Sequence, residues 1–289
     1  MSESVKNEMG SMEEVLGLMD RVNEVFSYEV WIPSLNKNVM FRELNTNQQK
    51  RLIKAIIDSP VYNTEFIFAL KKIIQENCVD SNVNVDELTI MDKAIIAMKM
   101  RSVSIGDIIE MKIPVGTEEN PSTIQRGISI EKLLKDIKKN IKLPDPEIIT
   151  DERGVYSITC SIPTILAEYK LEDEMRKESD SRDIKNYDEL RQSVGDIFMG
   201  EIAKYIKDIT IGDGDKSTTI NLNTLSFKNR IALIGKLPER IVKNVVKYIE
   251  KTKKAIDGIT LVKINVGTKE EPNFKEEKFS IEASFFTGS

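Results

Sequence analysis

Apolar residues near the N-terminus recur three and four positions apart, the spacing that places side chains on one face of an α-helix. We therefore predict that residues 1–26 form an N-terminal arm with an amphipathic helix. Two interpretations follow: the helix docks in a groove of a partner protein, or it folds back on the chain's own core. We take the second as the expectation. The apolar face comprises Met12, Val15, Leu16, Met19, Val22, Val25 and Phe26.

Residues 27–143 are predicted to form a first α+β half. Two runs rich in β-branched and aromatic residues flank a polar turn at 35–38, a pattern typical of a β-hairpin. Helical periodicity follows in three segments, and then comes an apolar run with strand character. The predicted helices span 47–57, 63–77 and 86–100, the strand spans 108–115, and a strand tip or short helix spans 128–142.

Pro144 and Pro146 mark an internal boundary, because proline continues neither a helix nor a central strand. Residues 144–289 are therefore predicted to form a second α+β half. The fold class is predicted as α+β, with helices packed against short antiparallel hairpins, and the order of elements suggests two similar halves. In the second half the helices span 165–177, 187–205, 225–237 and 238–256, and the strands span 147–150, 154–162, 208–213, 259–266 and 278–286.

The absence of histidine changes the range of possible functions more than any other compositional feature. Histidine is the commonest general base and the commonest transition-metal ligand, and nucleophile systems built on serine or cysteine with histidine are excluded. Carboxylates are plentiful, so a site built from carboxylates alone stays open. We predict that the protein is not an enzyme and has no catalytic, cofactor-binding or metal-binding residues.

The size and net charge of the chain narrow the range of expected partners further. With 289 residues, 40% of them apolar, the chain can bury a real core, and Cys78 and Cys160 are interpreted as small buried residues. The net charge of −5 would repel a phosphate backbone. No secretory signal or membrane-length apolar run is present in the sequence. We therefore expect cytosolic synthesis and no nucleic-acid, membrane or small-molecule partner.

One segment, at 212–218, resembles a phosphate-binding loop in composition. The motif requires a glycine directly before the lysine so that the backbone can wrap the phosphate, and Asp215 occupies that position before Lys216. Thr218 and Thr224 stand where a calcium loop requires glycine and glutamate. An ordinary turn is the favoured interpretation, and a nucleotide enzyme is the least favoured function.

Candidate contact residues are apolar groups that the chain's own core need not cover. Trp31 is interpreted first as an anchor in the core of the hairpin and second as an interface residue. Phe285 and Phe286 are adjacent in a predicted strand and so point to opposite faces, which leaves one of them as an interface anchor unless a helix covers the second face. The partner interface is predicted to comprise Val15, Met19, Val22, Phe26, Trp31, Phe285 and Phe286.

A series of short segments carries a family resemblance in its joint order. They are 31–55 (WIPSLNKNVMFRELNTNQQKRLIKA), 86–110 (DELTIMDKAIIAMKMRSVSIGDIIE), 154–165 (GVYSITCSIPTI), 225–250 (LSFKNRIALIGKLPERIVKNVVKYIE) and 281–286 (IEASFF). In that order the chain resembles the T4-type phage baseplate hub family. Some relatives carry a Cys-x-x-Cys pair before the final strand, which residues 264–279 lack. No zinc site is therefore carried over.

The resemblance implies a protein of hub assembly whose partners are other phage baseplate or tail proteins. One expectation is a structural component that acts through protein-protein contacts. The alternative is an assembly chaperone that is absent from the mature virion. Either protein would occupy the host cytoplasm during assembly, and the structural component would then reside in the tail baseplate.

Overall fold

The computed structural model describes residues 12–58, 64–116, 121–181, 187–212, 216–268, 270–281 and 284–286. Helices and short antiparallel strands alternate along them, which confirms the predicted α+β fold class. The helices are α1 (Met12–Val25), α2 (Thr46–Asp58), α3 (Thr64–Asn77), α4 (Ile90–Ser104), α5 (Ile130–Asn140), α6 (Ile165–Ser181), α7 (Tyr187–Ala203), α8 (Phe227–Ile234) and α9 (Glu239–Thr260). The strands are β1 (Ser27–Ile32), β2 (Lys37–Arg42), β3 (Ile108–Gly116), β4 (Pro121–Ser129), β5 (Glu147–Thr150), β6 (Tyr156–Cys160), β7 (Ile206–Ile211), β8 (Thr218–Asn221), β9 (Leu261–Asn265) and β10 (Phe274–Lys278).

The first hairpin pairs β1 with β2 in antiparallel register, with Val30 opposite Val39. A 3-10 turn over Pro33–Leu35 joins the strands, and Asn36 adopts the left-handed conformation at φ 47°, which asparagine tolerates better than most residues. The hairpin predicted around 35–38 is confirmed. Alternate side chains point into the core, and the buried ones are Tyr28, Val30, Ile32, Val39 and Phe41.

Helix α4 lies in the first hydrophobic core and is apolar on nearly all sides, as expected of a helix enclosed by other elements. Thr89 and Asp92 close its N-terminus in a capping box, in which each side chain accepts from the other residue's backbone N–H. The helix predicted over 86–100 begins and ends four residues later, because Val85–Glu87 forms a 3-10 turn. Its buried apolar side chains include Met91, Ile95, Ile96, Met98 and Met100.

A second core forms around the antiparallel sheet β5-β6-β7-β8, whose strands neighbour one another in sequence order. The predicted strands at 147–150 and 154–162 are confirmed as β5 and β6. Ile158 and Ile209 face each other across β6 and β7 and are both fully buried. Residues of α7, α8 and α9 cover this sheet face, and those from α9 are Ile241, Val245, Tyr248 and Ile249.

Helix α9 connects the two cores. With 22 residues it is about 33 Å long. Its first three turns pack in the second core, whereas Ile259 near its C-terminus packs in the first. The first core also takes in Phe279, Phe285 and Phe286. The cores therefore divide the chain differently from the predicted halves at 143/144, because the C-terminal residues return to the N-terminal core.

Backbone hydrogen bonds also join the segment before α4 to the start of α6. The N–H of Ile90 donates to the Pro163 carbonyl at 3.0 Å, and the N–H of Ile165 donates to the Leu88 carbonyl at 2.7 Å. Beside them, the half-buried Lys93 forms an ion pair with Glu168. This junction fixes α6 against α4.

The prediction of a final strand over 278–286 is wrong in position. β10 lies earlier, at Phe274–Lys278, where it pairs with β9, and a 3-10 turn over Ser284–Phe286 ends the described residues. The side chains of β10 alternate between exposed and partly buried, and none is fully buried. Its pairing therefore depends on the backbone hydrogen bonds with β9, and its sequence shows no apolar pattern that would predict a strand.

For residues 128–142 the sequence predicts a strand tip or a short helix, and both occur. β4 extends to Ser129, and α5 begins at Ile130 with the Ser129 hydroxyl accepting from the Lys132 N–H. Serine is a favoured N-cap residue, and here it ends the strand and starts the helix.

Candidate protein-protein interface

Helix α1 exposes the apolar face that its sequence predicts. Among the predicted interface residues, Val15 is 44% exposed, Met19 57%, and Val22 and Phe26 53% each. Met12, Leu16 and Leu18 on the same helix are also exposed. The chain's own core therefore does not bury this face, contrary to the expected folding back. Several exposed apolar side chains on one helix make it a candidate contact site.

A single residue, Phe26, separates α1 from β1. Its carbonyl accepts from the Glu43 N–H at 3.2 Å, so the base of the helix is attached to the end of the first hairpin. The helix is thus attached to the hairpin just after its C-terminal end, while its described apolar side chains stay exposed.

Trp31 does not lie in the hairpin core. Tyr28, Val30 and Ile32 fill the core face of β1, and Trp31 lies on the opposite face, where it is half-buried. The ammonium of Lys138 on α5 lies 5.8 Å from the centre of its ring, within cation–π range. The first interpretation of Trp31, as a core anchor, is therefore wrong.

Phe285 and Phe286 are both buried, with 6% and 0% of their surface exposed, which corrects their prediction as exposed anchors. Adjacent residues of a strand point to opposite faces, but in a 3-10 turn they are about 120° apart and can enter the same core. Phe285 stacks on Phe279 at 5.8 Å between ring centres, and Phe286 lies 6.0 Å from Phe66.

Arg101 holds this C-terminal turn in place. Its Nε donates to the Phe285 carbonyl at 2.8 Å, and its other two nitrogens donate to the carbonyls of Gly106 and Ile108. The side chain is buried, and desolvation lowers the pKa of Arg101, with nearby Asp107 acting against that shift. In the sequence, Arg101 is singled out only as part of residues 86–110, one of the segments that resemble the hub family.

Asp107 organises the start of α5. Its carboxylate accepts from the hydroxyls of Ser129 at 2.6 Å and Ser102 at 3.1 Å and from the Glu131 N–H at 2.8 Å. Partial burial raises the pKa of Asp107, but these hydrogen bonds outweigh burial, and the net effect is a lowered pKa.

An open groove of about 900 Å³ lies between β4 and α5 on one side and the end of α9 and β9 on the other. Its floor is apolar and includes Ile137, Ile259 and Val262. Its polar rim is mostly basic: Arg126, Lys132, Lys142 and Lys263 line it together with one acidic residue, Asp136. Residues 128–142 were predicted only as a strand tip or short helix, and the groove could not be predicted, because its opposite wall comes from residues more than a hundred positions later.

Helix α7 buries a smaller part of its apolar face than its periodicity predicts. Ile202 is buried in the second core, as expected. Val194, Ile197 and Phe198, which recur at helical spacing with Ile202, are 59%, 42% and 57% exposed. The helix is therefore covered only near its C-terminus along the residues whose side chains are described.

Lys204 is a largely buried cation with two acidic partners. Lys204 lies between Glu172 and Glu201, 2.6 Å from each, and these carboxylates raise its pKa although desolvation opposes them. No group of three potential metal ligands exists among the described residues. Of the predicted loop at 212–218, residues 213–215 lie outside them. Within the same residues, no helix has the length and apolarity needed to cross a membrane.

Comparison with known proteins gives one match. A model of the family described as T4 bacteriophage base plate protein matches residues 25–278, which include every strand and all of the helices except α1. No curated protein and no solved structure matches the chain. Since the matched residues make up most of the sequence, the chain belongs to the T4 bacteriophage base plate protein family.

Proposed function

We propose that this protein is a structural component of the hub of a phage contractile-tail baseplate and that it acts through protein-protein contacts. The family supports a place in the baseplate. The hub is supported by the resemblance of residues 31–55, 86–110 and 225–250 to hub proteins. The observation that carries a contact role is the exposed apolar face of α1, which lies almost entirely ahead of the residues matched by the family.

The α1 face gives a partner a clear energetic gain. Val15, Met19, Val22 and Phe26 are each about half exposed, and covering such a side chain contributes on the order of 1 kcal/mol. The anchored base of the helix limits how much additional order binding requires, because Phe26 is already attached to the first hairpin. We propose other baseplate or tail proteins as the partners.

We further propose that the protein acts without catalysis, cofactor or small-molecule substrate and without binding nucleic acid or membrane. The absence of histidine and the net charge of −5 support this. The protein would fold in the host cytoplasm during assembly and then enter the virion tail. Nucleotides added at about 100 times a typical dissociation constant should leave its thermal unfolding unchanged, whereas a real site would add about 2.7 kcal/mol.

Mass spectrometry of purified mature tails tests the structural role. The protein should be present in a fixed ratio to other baseplate proteins. Its absence from finished tails, combined with failed tail assembly when its gene is removed, would instead identify an assembly chaperone.

A matched pair of variants tests the role of α1. Val22→Ser/Phe26→Ser should lower the amount incorporated into tails, because it removes apolar contact area. The control Ile57→Ser/Ile148→Ser changes two side chains that are 74% and 66% exposed elsewhere, and its incorporation should match that of the wild type. Equal incorporation of both variants would contradict a contact role for α1.

A further inference from the structure

The lining of the groove between α5 and β9 favours a ligand with two properties. Its partly exposed apolar lining favours a ligand with an apolar face, since covering Leu133, Ile141 and Leu261 removes apolar surface from water. Its rim carries Arg126, Lys132 and Lys142 against one lining aspartate, Asp136, and a fourth cation, Lys263, that already forms an ion pair with Glu276 at 3.3 Å. The occupant should therefore be acidic as well as apolar, because like charges at this rim would repel it.

Helix α1 has both properties. It exposes Val15, Leu16, Met19 and Val22 among other apolar side chains. Its sequence, MEEVLGLMDRVNEV, contains four acidic residues and one basic residue. An amphipathic helix that lays its apolar face into a groove is a common mode of recognition, and the charges of this helix and this groove are complementary.

Among the described residues, none of α1 lines the groove, which is formed by residues of 126–142 and 255–268. On the side of α5 that faces β1, Lys138 lies over Trp31, whereas Lys132, Asp136 and Asn140 of α5 line the groove. Every copy of the chain therefore carries an exposed apolar helix face and an open groove of matching chemistry.

We infer that the groove between α5 and β9 is the receptor for helix α1 of a second copy of this chain. Exchange of α1 between two copies fills both grooves at once and gives a closed, two-fold symmetric dimer. The inference rests on the proposed function and deepens it, because it names a second copy of this chain within the assembly as the partner that covers the apolar face of α1.

Sedimentation equilibrium of the full chain measures this association directly. The protein should sediment as a monomer of 32.9 kDa at low concentration and approach twice that mass as the concentration rises. Raising the salt concentration should weaken the association, because exposed charges are screened. A monomer at every concentration and salt would overturn the inference, and the protein's presence in tails would be unaffected by that result.

Charge reversal tests the groove. Lys132→Glu/Lys142→Glu should raise the dimer dissociation constant about tenfold, the change that results when two exposed ion pairs become repulsive contacts. Lys207→Glu/Lys228→Glu makes the same change in charge at two exposed lysines outside the groove and should have little effect. Equal weakening by both variants would show a general charge effect and contradict the assigned groove.

Disulfide trapping distinguishes a second copy from the chain's own helix. The variants Leu16→Cys and Leu261→Cys, one of them carrying a size tag, should form a mixed covalent dimer when combined and oxidised. Burial raises the pKa of both native thiols, Cys78 and Cys160, which keeps background reaction low. If the double variant Leu16→Cys/Leu261→Cys instead closes within one chain and no mixed dimer forms, the inference is wrong.

Discussion

Arg101 connects three separate parts of the chain through one guanidinium group. Its donors contact carbonyls five, seven and 184 positions later in the sequence. A buried guanidinium is costly to desolvate, and here backbone carbonyls provide the compensating hydrogen bonds, with the ring of Phe285 5.4 Å away.

Replacing Arg101 should destabilise the fold strongly. Arg101→Met keeps much of the side-chain volume but leaves the carbonyls of Gly106, Ile108 and Phe285 without their donors, and we expect the free energy of unfolding to fall by about 3 kcal/mol. Urea unfolding measures the change. The control Arg153→Met alters an exposed arginine in a turn and should change the free energy by less than about 0.5 kcal/mol. A loss below about 1 kcal/mol for Arg101→Met would contradict the anchoring role.

Asp107 predicts a specific dependence of stability on pH. Its pKa is lowered in the folded state, so the folded protein binds fewer protons at this carboxyl than the unfolded chain does in acid. The stabilisation is full above about pH 5 and is lost as the pH falls through the folded pKa. Unfolding measured between about pH 5 and pH 3 should therefore be less pH-dependent for Asp107→Asn than for the wild type. Ser129→Ala, which removes one of its hydrogen bonds, should give an intermediate slope, and identical slopes for all three proteins would count against this assignment.

The apolar residues that form the core could largely be predicted from the sequence, but the roles of Arg101 and Asp107 could not. Val30 and Phe41 follow simple alternation in a hairpin. Arg101 and Asp107 act on backbone groups and hydroxyls that only the fold brings near them, and sequence spacing contains no sign of such partners.

At the scale of the elements, the N-terminal cap of α4 joins this helix to the first hairpin. The Asp92 carboxylate accepts from the Thr89 N–H at 2.7 Å within the capping box and from the Ser34 N–H at 3.1 Å in the turn of the first hairpin. One buried carboxylate thus starts the central helix and holds the hairpin against it.

Substitutions at this cap should follow a fixed order of severity. Thr89→Ser retains the hydroxyl and should change the free energy of unfolding least. Thr89→Ala loses one capping hydrogen bond and should cost about 1 kcal/mol. Asp92→Ala removes the acceptor for two backbone donors and should cost about 3 kcal/mol. Thermal and urea unfolding measure all three, and a smaller loss for Asp92→Ala than for Thr89→Ala would refute the double role.

Helices were predicted more accurately than strands because most of them alternate apolar and polar faces. The errors fall where tertiary contacts overrule that pattern. β10 is polar on both faces and forms because β9 offers a pairing edge. The exposed apolar face of α7 followed a helical period but lacks a packing partner among the described residues.

At the scale of the whole molecule, two cores share one long helix. α9 contributes Val245 and Tyr248 to the second core and Ile259 to the first. Together with the hydrogen bonds of Ile90 and Ile165, this continuity makes it costly to unfold one core while the other stays folded.

We therefore expect the two cores to unfold in a single transition. Trp31, the sole tryptophan of the sequence, lies on β1 and reports on the hairpin whose other face packs in the first core. Cys160, which is fully buried, reports on the second core. In a Cys78→Ala background, tryptophan fluorescence and the thiol reactivity of Cys160 should give the same urea midpoint. Two separated midpoints would mean that α9 does not couple the cores.

The sequence predicted the fold class and the apolar face of α1, although the expectation was that this face folds back on the chain's own core, and it did not predict the division into cores or the groove. Both of these depend on the C-terminal segment returning to the N-terminal half. Phe279 and Phe285 carry no local sign of their destination, and the walls of the groove, at 126–142 and 255–268, are brought together only by that return.

The position of the last described residues also affects how the protein is made. Phe285 and Phe286 complete a core whose other members begin at Tyr28. A ribosome adds about 5 to 20 residues per second, so β1, β2 and α4 emerge roughly ten seconds or more before the phenylalanines that cover them. The N-terminal core therefore cannot be completed while the chain is still growing toward residue 286, and its apolar surface stays incompletely covered during that interval.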